Sequence, residues 1–257
     1  MRWETISLDI DSDVATLTID RPDSLNALTV ETLEAMEAAL TEAADAGVRA
    51  LVLAGAGDRA FVAGADISRM AELSTPEAQA YAELGHRVAE TIETFPAPVI
   101  AAIDGYAFGG GFELALAADL RVASEDAVIG QTEIDIGIIP GWGGTQRLAR
   151  LVDDGTARRM VFLGERLEAT EAVDAGLVGE VVSPEAFDNR IDELAAELAA
   201  KPAFALQAAK EALNAAHTGS TAAGMALERR AWSGLFGTHD QREGMQAFVE
   251  KRDPEFE

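Results

Sequence analysis

The alternation of apolar and polar positions predicts that the chain begins with two β-strands and a helix. Residues 4–10 and 14–20 alternate in character on either side of an Asp-Ser-Asp turn, which predicts a β-hairpin. From Val30 to about Ala46 apolar residues recur at helical spacing, with Thr29 as the expected N-cap and Gly47 as the stop.

Later segments repeat a pattern of strand, loop and helix. Residues 48–55 and 96–105 are continuous apolar runs of strand length, which is typical of strands covered on both faces. A helix is predicted between them, from Pro76 to Thr94. This order predicts an α/β fold in which largely parallel sheets carry helices on the outside.

The last quarter of the chain has helical periodicity throughout. Ala, Leu and Glu recur at helical spacing from Pro202 to Val249, with breaks near Thr218 and Thr238. We therefore divide the chain into an α/β core, residues 1–195, and a helical C-terminal part, residues 196–257. No low-complexity linker separates the two parts, so we expect them to fold as one unit.

The charge of the chain restricts its partners and its solvent. The formal net charge is -25, from 45 acidic and 20 basic residues, and the only lysines are Lys201, Lys210 and Lys251. Such self-repulsion is screened by concentrated salt, which favours a salt-adapted (halophilic) host over the alternative of an ordinary acidic cytosolic enzyme. The same charge argues against binding to nucleic acid or to an anionic membrane surface.

The sequence also argues against several other classes of protein. The chain has no cysteine, which excludes disulfides and thiolate nucleophiles. Its first residues lack the basic and apolar regions of a signal peptide, and no apolar run reaches the length of a membrane span, so we expect a soluble, cytoplasmic protein. His86, His217 and His239 show no paired spacing, and no metal site is predicted.

Two carboxylates beside glycine-rich turns are the best candidates for chemistry. Glu113 follows Gly109–Gly111, and Glu133 precedes the glycines of residues 141–144. Each acid taken alone is expected on a solvated surface, but together two carboxyl groups can share a water as acid and base. The glycine triplet opens a helix whose amides could hold a negative oxygen, helped by a second amide near Ala65, although close helix packing also explains it.

A larger set of motifs resembles one family, the enoyl-CoA hydratases/isomerases, or crotonases. The two longest motifs are IDGYAFGGGFELALAADLRVAS, from Ile103, and GQTEIDIGIIPGWGGTQRL, from Gly130. The resemblance continues through most of the chain, in the segments NAL (26–28), AFVAGADI (60–67), LGERLEATEAVDAGLV (163–178) and REGMQAFVEKR (242–252).

The resemblance implies a fold and an activity. The fold would be a crotonase-type spiral of ββα units, with the helical C-terminal part forming a homotrimer or a hexamer made of two trimers. The activity would be hydration of a 2-enoyl-CoA thioester, as in the β-oxidation of fatty acids, with coenzyme A as part of the substrate and no separate cofactor.

The family's functional residues match particular positions of this chain. Glu113 and Glu133 would be the catalytic acids, and the backbone amides of Ala65 and Gly110 would form the oxyanion hole. A neighbouring subunit would help to bind coenzyme A through Phe248 and Lys251. The full set expected to contact the substrate or its coenzyme A is Ala63, Asp66, Ile67, Gly141, Trp142, Phe248 and Lys251.

One position departs from the family pattern. Many hydratases carry a lysine directly after the GADI segment, whereas this chain has Ser68. Arg21, Arg59 or Arg69 could supply the basic contact to coenzyme A instead.

Alternatives remain within and outside this chemistry. An isomerase that moves the double bond of an enoyl-CoA usually works with one of the two acids, so two glutamates favour hydration. A non-catalytic RNA-binding member is disfavoured by the charge. The acyl pocket is expected to have walls that include Phe108, Trp142 and Met70, with a core position for Trp142 equally compatible with the sequence.

Overall fold

The N-terminal hairpin and the first helix form where the sequence predicts them. The structure, a computed structural model, describes residues 3–257. The N-terminal segment that lacks the features of a signal peptide begins with two residues outside this range. Strand β1 (Ile6–Asp11) pairs antiparallel with β2 (Val14–Ile19). Helix α1 (Val30–Asp45) begins at Thr29, whose side chain accepts a hydrogen bond of 3.2 Å from the Thr32 amide.

The larger sheet has six strands and is mostly parallel. Its order is β1-β2-β3-β5-β7-β10, and every neighbouring pair beyond the hairpin is parallel. Leu51 and Val52 of β3 enter two different apolar clusters, which confirms that this strand is covered on both faces. The strands that join the hairpin in this sheet are β3 (Ala50–Gly55), β5 (Val99–Ile103), β7 (Leu120–Ser124) and β10 (Glu180–Val182).

The smaller sheet has four strands of three residues each. Its order is β4-β6-β8-β9, with only the β8–β9 pair antiparallel. The residue pattern predicts no strand at 60–62 or at 106–108, because three residues are too few to show a period. The strands are β4 (Ala60–Val62), β6 (Tyr106–Phe108), β8 (Val128–Gly130) and β9 (Arg166–Glu168).

Successive units give one strand to each sheet before a helix. Strands β3 and β4, β5 and β6, and β7 and β8 follow this rule, which confirms the expected spiral of ββα units. The helices that follow α1 are α2 (Ile67–Met70), α3 (Thr75–Glu93), α4 (Gly110–Ala117), α5 (Gly144–Leu151), α6 (Asp154–Leu163), α7 (Ala169–Asp174), α8 (Pro184–Ala199), α9 (Ala203–Thr218), α10 (Thr221–Leu235) and α11 (His239–Glu250).

The C-terminal helices break where the sequence predicts, after Thr218 and at Thr238. Helix α8 covers the outer face of the larger sheet through Phe187 and Ile191. The predicted division after residue 195 falls inside α8, and the division itself stays a prediction. Among residues 3–257 no helix is long and apolar enough to cross a membrane.

Candidate active site

Glu113 lies inside the protein, held by a glycine-rich turn. Helix α4 is buried along its whole length, and the Glu113 side chain is 1% exposed. Its Oε1 atom accepts hydrogen bonds from the amides of Trp142 (2.8 Å) and Gly144 (2.6 Å). A Cβ atom on Gly144 would stand 2.9 Å from the same oxygen, so the turn requires glycine there. The expectation of a solvated position for this acid alone is therefore wrong.

Glu133 occupies a second buried position at the end of the smaller sheet. It opens a 3₁₀ turn, Glu133–Ile136, and it is 8% exposed. The buried side-chain amide of Gln131 lies 3.1 Å from both of its oxygens, with the nitrogen as donor. A Cβ atom on Gly109 would come within 3.2 Å of the Glu133 carboxyl group, so this acid lies against the start of α4. The expectation that Glu133, taken alone, lies on a solvated surface is therefore also wrong.

The environments of the two carboxyl groups differ. Burial, and then the charge of Glu113, raise the pKa of Glu133 from 4.5 to about 8. Burial also raises the pKa of Glu113, but the amides of Gly144, Trp142 and Gly141 and the charge of Arg147 oppose that rise. Two neighbouring buried acids titrate as a pair. The backbone amides that donate to Glu113 favour its ionised form and so oppose the effect of burial on its pKa.

The loop after β4 presents a backbone amide beside the start of α4. Leu28 forms an isolated parallel bridge with Ala65, through hydrogen bonds of 2.9 Å to the Gly64 carbonyl and 2.8 Å from the Asp66 amide. Within residues 3–257 the amides of Ala65 and Gly110 donate to no protein acceptor. A Cβ atom on Gly64 would lie 4.0 Å from the Gly110 nitrogen, which shows how closely the two segments approach. Two unpaired amides at neighbouring turns can bind a developing oxyanion.

The glycines of the triplet are also needed for packing. A Cβ atom on Gly110 would overlap the Trp142 ring, and one on Gly111 would overlap the backbone of Val62. The two explanations of the triplet are therefore compatible, because the close packing brings the Gly110 amide to the site.

An apolar cavity of about 400 Å³ joins these groups. The predicted residues that line it are Ala63, Ala65, Ile67, Gly110, Glu113, Glu133, Gly141 and Trp142. Gly109 of the glycine triplet and the expected Met70 also line it. The lining residues that the sequence did not point to are Gly64, Leu73, Ala78, Tyr81, Ala82, Thr132, Ile136, Ile138 and Ile139. Ile139 on this wall is 65% exposed. The isoleucines that precede Pro140 in the sequence were the signal from which an apolar rim of the cavity could have been predicted.

Trp142 serves as wall and as core at once. It is buried, its ring meets Tyr81 edge-on at 5.4 Å, and it packs so closely on α3 that a Cβ atom on Gly85 would overlap it. The expectation that Phe108 lines the pocket is wrong. Phe108 instead stacks on Tyr106 at 5.1 Å and lies under Arg166 at 4.9 Å, outside the cavity.

The expected coenzyme A contacts are only partly assembled in one chain. Asp66 is not part of the cavity lining and caps α2, where it accepts a hydrogen bond of 2.6 Å from Ser68 and pairs with Arg21 at 3.3 Å. Phe248, on α11, is 85% exposed, and neither it nor Lys251 lines the cavity of its own chain.

The arginines suggested as replacements for the lysine differ in their availability. Arg21 is occupied by Asp66 and by the Ala27 carbonyl. Arg59 and Arg69 are exposed, and Arg69 lies on α2 beside the cavity residue Ile67.

A pair of buried carboxyl groups facing unpaired amides across an apolar cavity defines a site for acid–base chemistry on a carbonyl compound. A model of the enoyl-CoA hydratase/isomerase family matches residues 9–257. The chain belongs to the enoyl-CoA hydratase/isomerase family.

Curated relatives and solved structures match the chain over nearly its whole length. It is 41% identical to a short-chain-enoyl-CoA hydratase of Clostridium acetobutylicum over 253 residues, 98% of this chain and 97% of the relative. It is 41% identical to a crotonyl-CoA hydratase of Syntrophomonas wolfei over 257 residues, 100% and 99% of the two chains. The crystal structure of an enoyl-CoA hydratase from Bacillus anthracis superposes with a TM-score of 0.94 at 38% identity, covering 98% of this chain and 99% of that one.

Proposed function

We propose that this chain is an enoyl-CoA hydratase, a hydro-lyase that adds water reversibly across the 2,3 double bond of a 2-enoyl-CoA thioester. The observation that carries the proposal is the single apolar cavity that joins two buried carboxyl groups to two unpaired amides. The names of the relatives from Clostridium acetobutylicum and Syntrophomonas wolfei support the same substrate class.

The amides of Ala65 and Gly110 bind the thioester oxygen in this mechanism. Negative charge grows on that oxygen as C3 is attacked, and a preorganised donor stabilises it by about 2.7–4 kcal/mol in comparable sites. The unpaired state of both amides and their position at the cavity wall support this role.

The two glutamates have different roles in this mechanism. Ionised Glu113 accepts a proton while the water oxygen bonds to C3, and the electron pair of the double bond moves towards the thioester as an enolate. Protonated Glu133 then delivers its proton to C2, and the proton taken up by Glu113 passes to Glu133, which restores both groups for the next turnover. One O–C3 bond and one C2–H bond form, so the product is the 3-hydroxyacyl-CoA. The amides on Glu113 and the raised pKa of Glu133, about 8, support this division of roles.

The remaining contacts complete the proposal. We assign Ala63, Ile67, Gly141 and Trp142 to the acyl thioester, since all four line the cavity. Asp66 acts indirectly, by fixing the start of α2. A homotrimer or hexamer would bring Phe248 and Lys251 to a neighbouring site, where their exposure leaves them available. The assembly, the absence of a separate cofactor and the cytoplasmic location stay predictions.

The test is a product assay on trans-2-enoyl-CoA thioesters of increasing chain length, in low and high salt. Hydration removes the ultraviolet absorbance of the conjugated thioester and adds the mass of one water. Loss of the absorbance with no change in mass would identify an isomerase instead, and no reaction with any chain length would reject the proposal.

A further inference from the structure

Arg147 ties the glycine-rich turn to the end of a neighbouring helix. Its Nη1 donates to the Trp142 carbonyl at 2.9 Å, while Nε and Nη2 donate to the Glu93 carboxylate at 3.1 and 2.6 Å. The Arg147 side chain is 14% exposed and that of Glu93 29%, so the pair is largely shielded from solvent. A guanidinium group with several donors in a fixed plane fixes geometry better than a flexible point charge does.

The same turn holds Glu113 from its other side. The Trp142 carbonyl accepts a hydrogen bond from Arg147, whereas the amides of Trp142 and Gly144 both donate to Glu113. Gly143, between them, has a φ of 105°, and a Cβ atom there would overlap the guanidinium group. A turn with this much glycine has little stiffness of its own. Its shape, and with it the position of Glu113, therefore depends on outside contacts.

Helix α3 gives Arg147 a fixed partner. Glu93 is the last residue of α3, and its carbonyl accepts a hydrogen bond of 2.8 Å from Asn214 on α9. The preceding carbonyl, of Ile92, accepts one of 3.2 Å from the buried Lys210. Hydrogen bonds from α9 therefore fix the end of α3, which carries the carboxylate that binds Arg147.

We infer that Arg147, held by Glu93, is a positioning residue that keeps the 141–144 turn in the shape in which its amides hold Glu113 ionised and aimed into the cavity. The inference rests on the proposed function, because it concerns the group that activates water. Arg147 does not line the cavity, so it acts through the turn.

The test compares Arg147→Ala with Arg150→Ala, which removes the same charge from the exposed face of the same helix. We expect Arg147→Ala to lower kcat by about 10- to 100-fold with little change in KM, because the acid is displaced while the cavity remains. The acid limb of its pH–rate profile should move to higher pH, because the positive charge of Arg147, which lowers the pKa of Glu113, is lost. Added guanidinium ion should restore part of the rate, and Arg150→Ala should match the wild type.

Glu93→Ala is the second variant, because it keeps the arginine charge and removes only the side chain that accepts its hydrogen bonds. A fall in kcat of at least about threefold is expected there, from the lost hydrogen bonds to a charged group. A wild-type kcat in this variant, or an Arg147→Ala protein with the rate and pH limb of Arg150→Ala, would overturn the inference. Those results leave the wild type active, whereas failure of the proposed function would leave the wild type inactive on every enoyl thioester.

Discussion

Replacing Glu133 by glutamine should stabilise the protein at alkaline pH. Burial and the neighbouring Glu113 raise the pKa of Glu133 from 4.5 to about 8 in the folded state. The unfolded chain loses this proton near pH 4.5, so between these values the folded state holds more protons than the unfolded state. Stability therefore falls as the pH rises through that window. A glutamine side chain stays neutral, so Glu133→Gln removes this loss of stability at high pH.

The size of the effect follows from the pKa. A rise of about 3.5 corresponds to about 5 kcal/mol of unfolding free energy above pH 8, at 1.36 kcal/mol for each pKa unit. Relaxation and water entry around the buried charge reduce this, so we expect about 2–5 kcal/mol at pH 9 and little difference near pH 5. For a chain of this size, 2 kcal/mol raises Tm by about 4–8 °C.

The assay is thermal unfolding of the wild type, Glu133→Gln and Asp135→Asn from pH 5 to pH 9, at one salt and one protein concentration. Asp135 lies two positions further on and is exposed, so its variant controls for the loss of one negative charge. The gap between Glu133→Gln and the wild type should widen up to about pH 8 and then level off. Equal pH dependence of Tm in the two variants would refute the reasoning.

Three further predictions concern the pH, the turn and the salt. Above about pH 8, kcat/KM for hydration should fall about tenfold per pH unit as Glu133 loses its proton, and a flat profile to pH 10 would contradict this. Gly144→Ala should lower kcat by about 100-fold, because its Cβ atom meets Glu113 at 2.9 Å, whereas Gly234→Ala, with no atom within 4 Å, should be unaffected in the same assay. The net charge of -25 predicts a Tm that rises between about 0.1 and 1 M KCl, and a constant Tm would argue against salt adaptation.

The sequence predicted the long elements and pointed to Glu113 and Glu133, which line one cavity, but it did not predict the burial of those acids. A signal for Glu113 was present, since a helix that is apolar on every side is buried and takes its single carboxylate with it. What remained hidden was contact between distant segments. The amide of Gly144 reaches Glu113 across 31 positions, and Tyr81 of α3 reaches the cavity wall. Local periodicity carries no information on such contacts.

The most direct test of the central claim is the rate of hydration of a short 2-enoyl-CoA by the wild type, Glu113→Gln and Glu133→Gln, followed by the loss of ultraviolet absorbance and by product mass. In the proposed mechanism Glu113 is the base for the attacking water and Glu133 is the acid for C2. Each glutamine variant should therefore be slower by about 100- to 10,000-fold, with the Asp135→Asn protein close to the wild type. A Glu113→Gln or Glu133→Gln protein that hydrates the thioester at a near-normal rate would contradict the account.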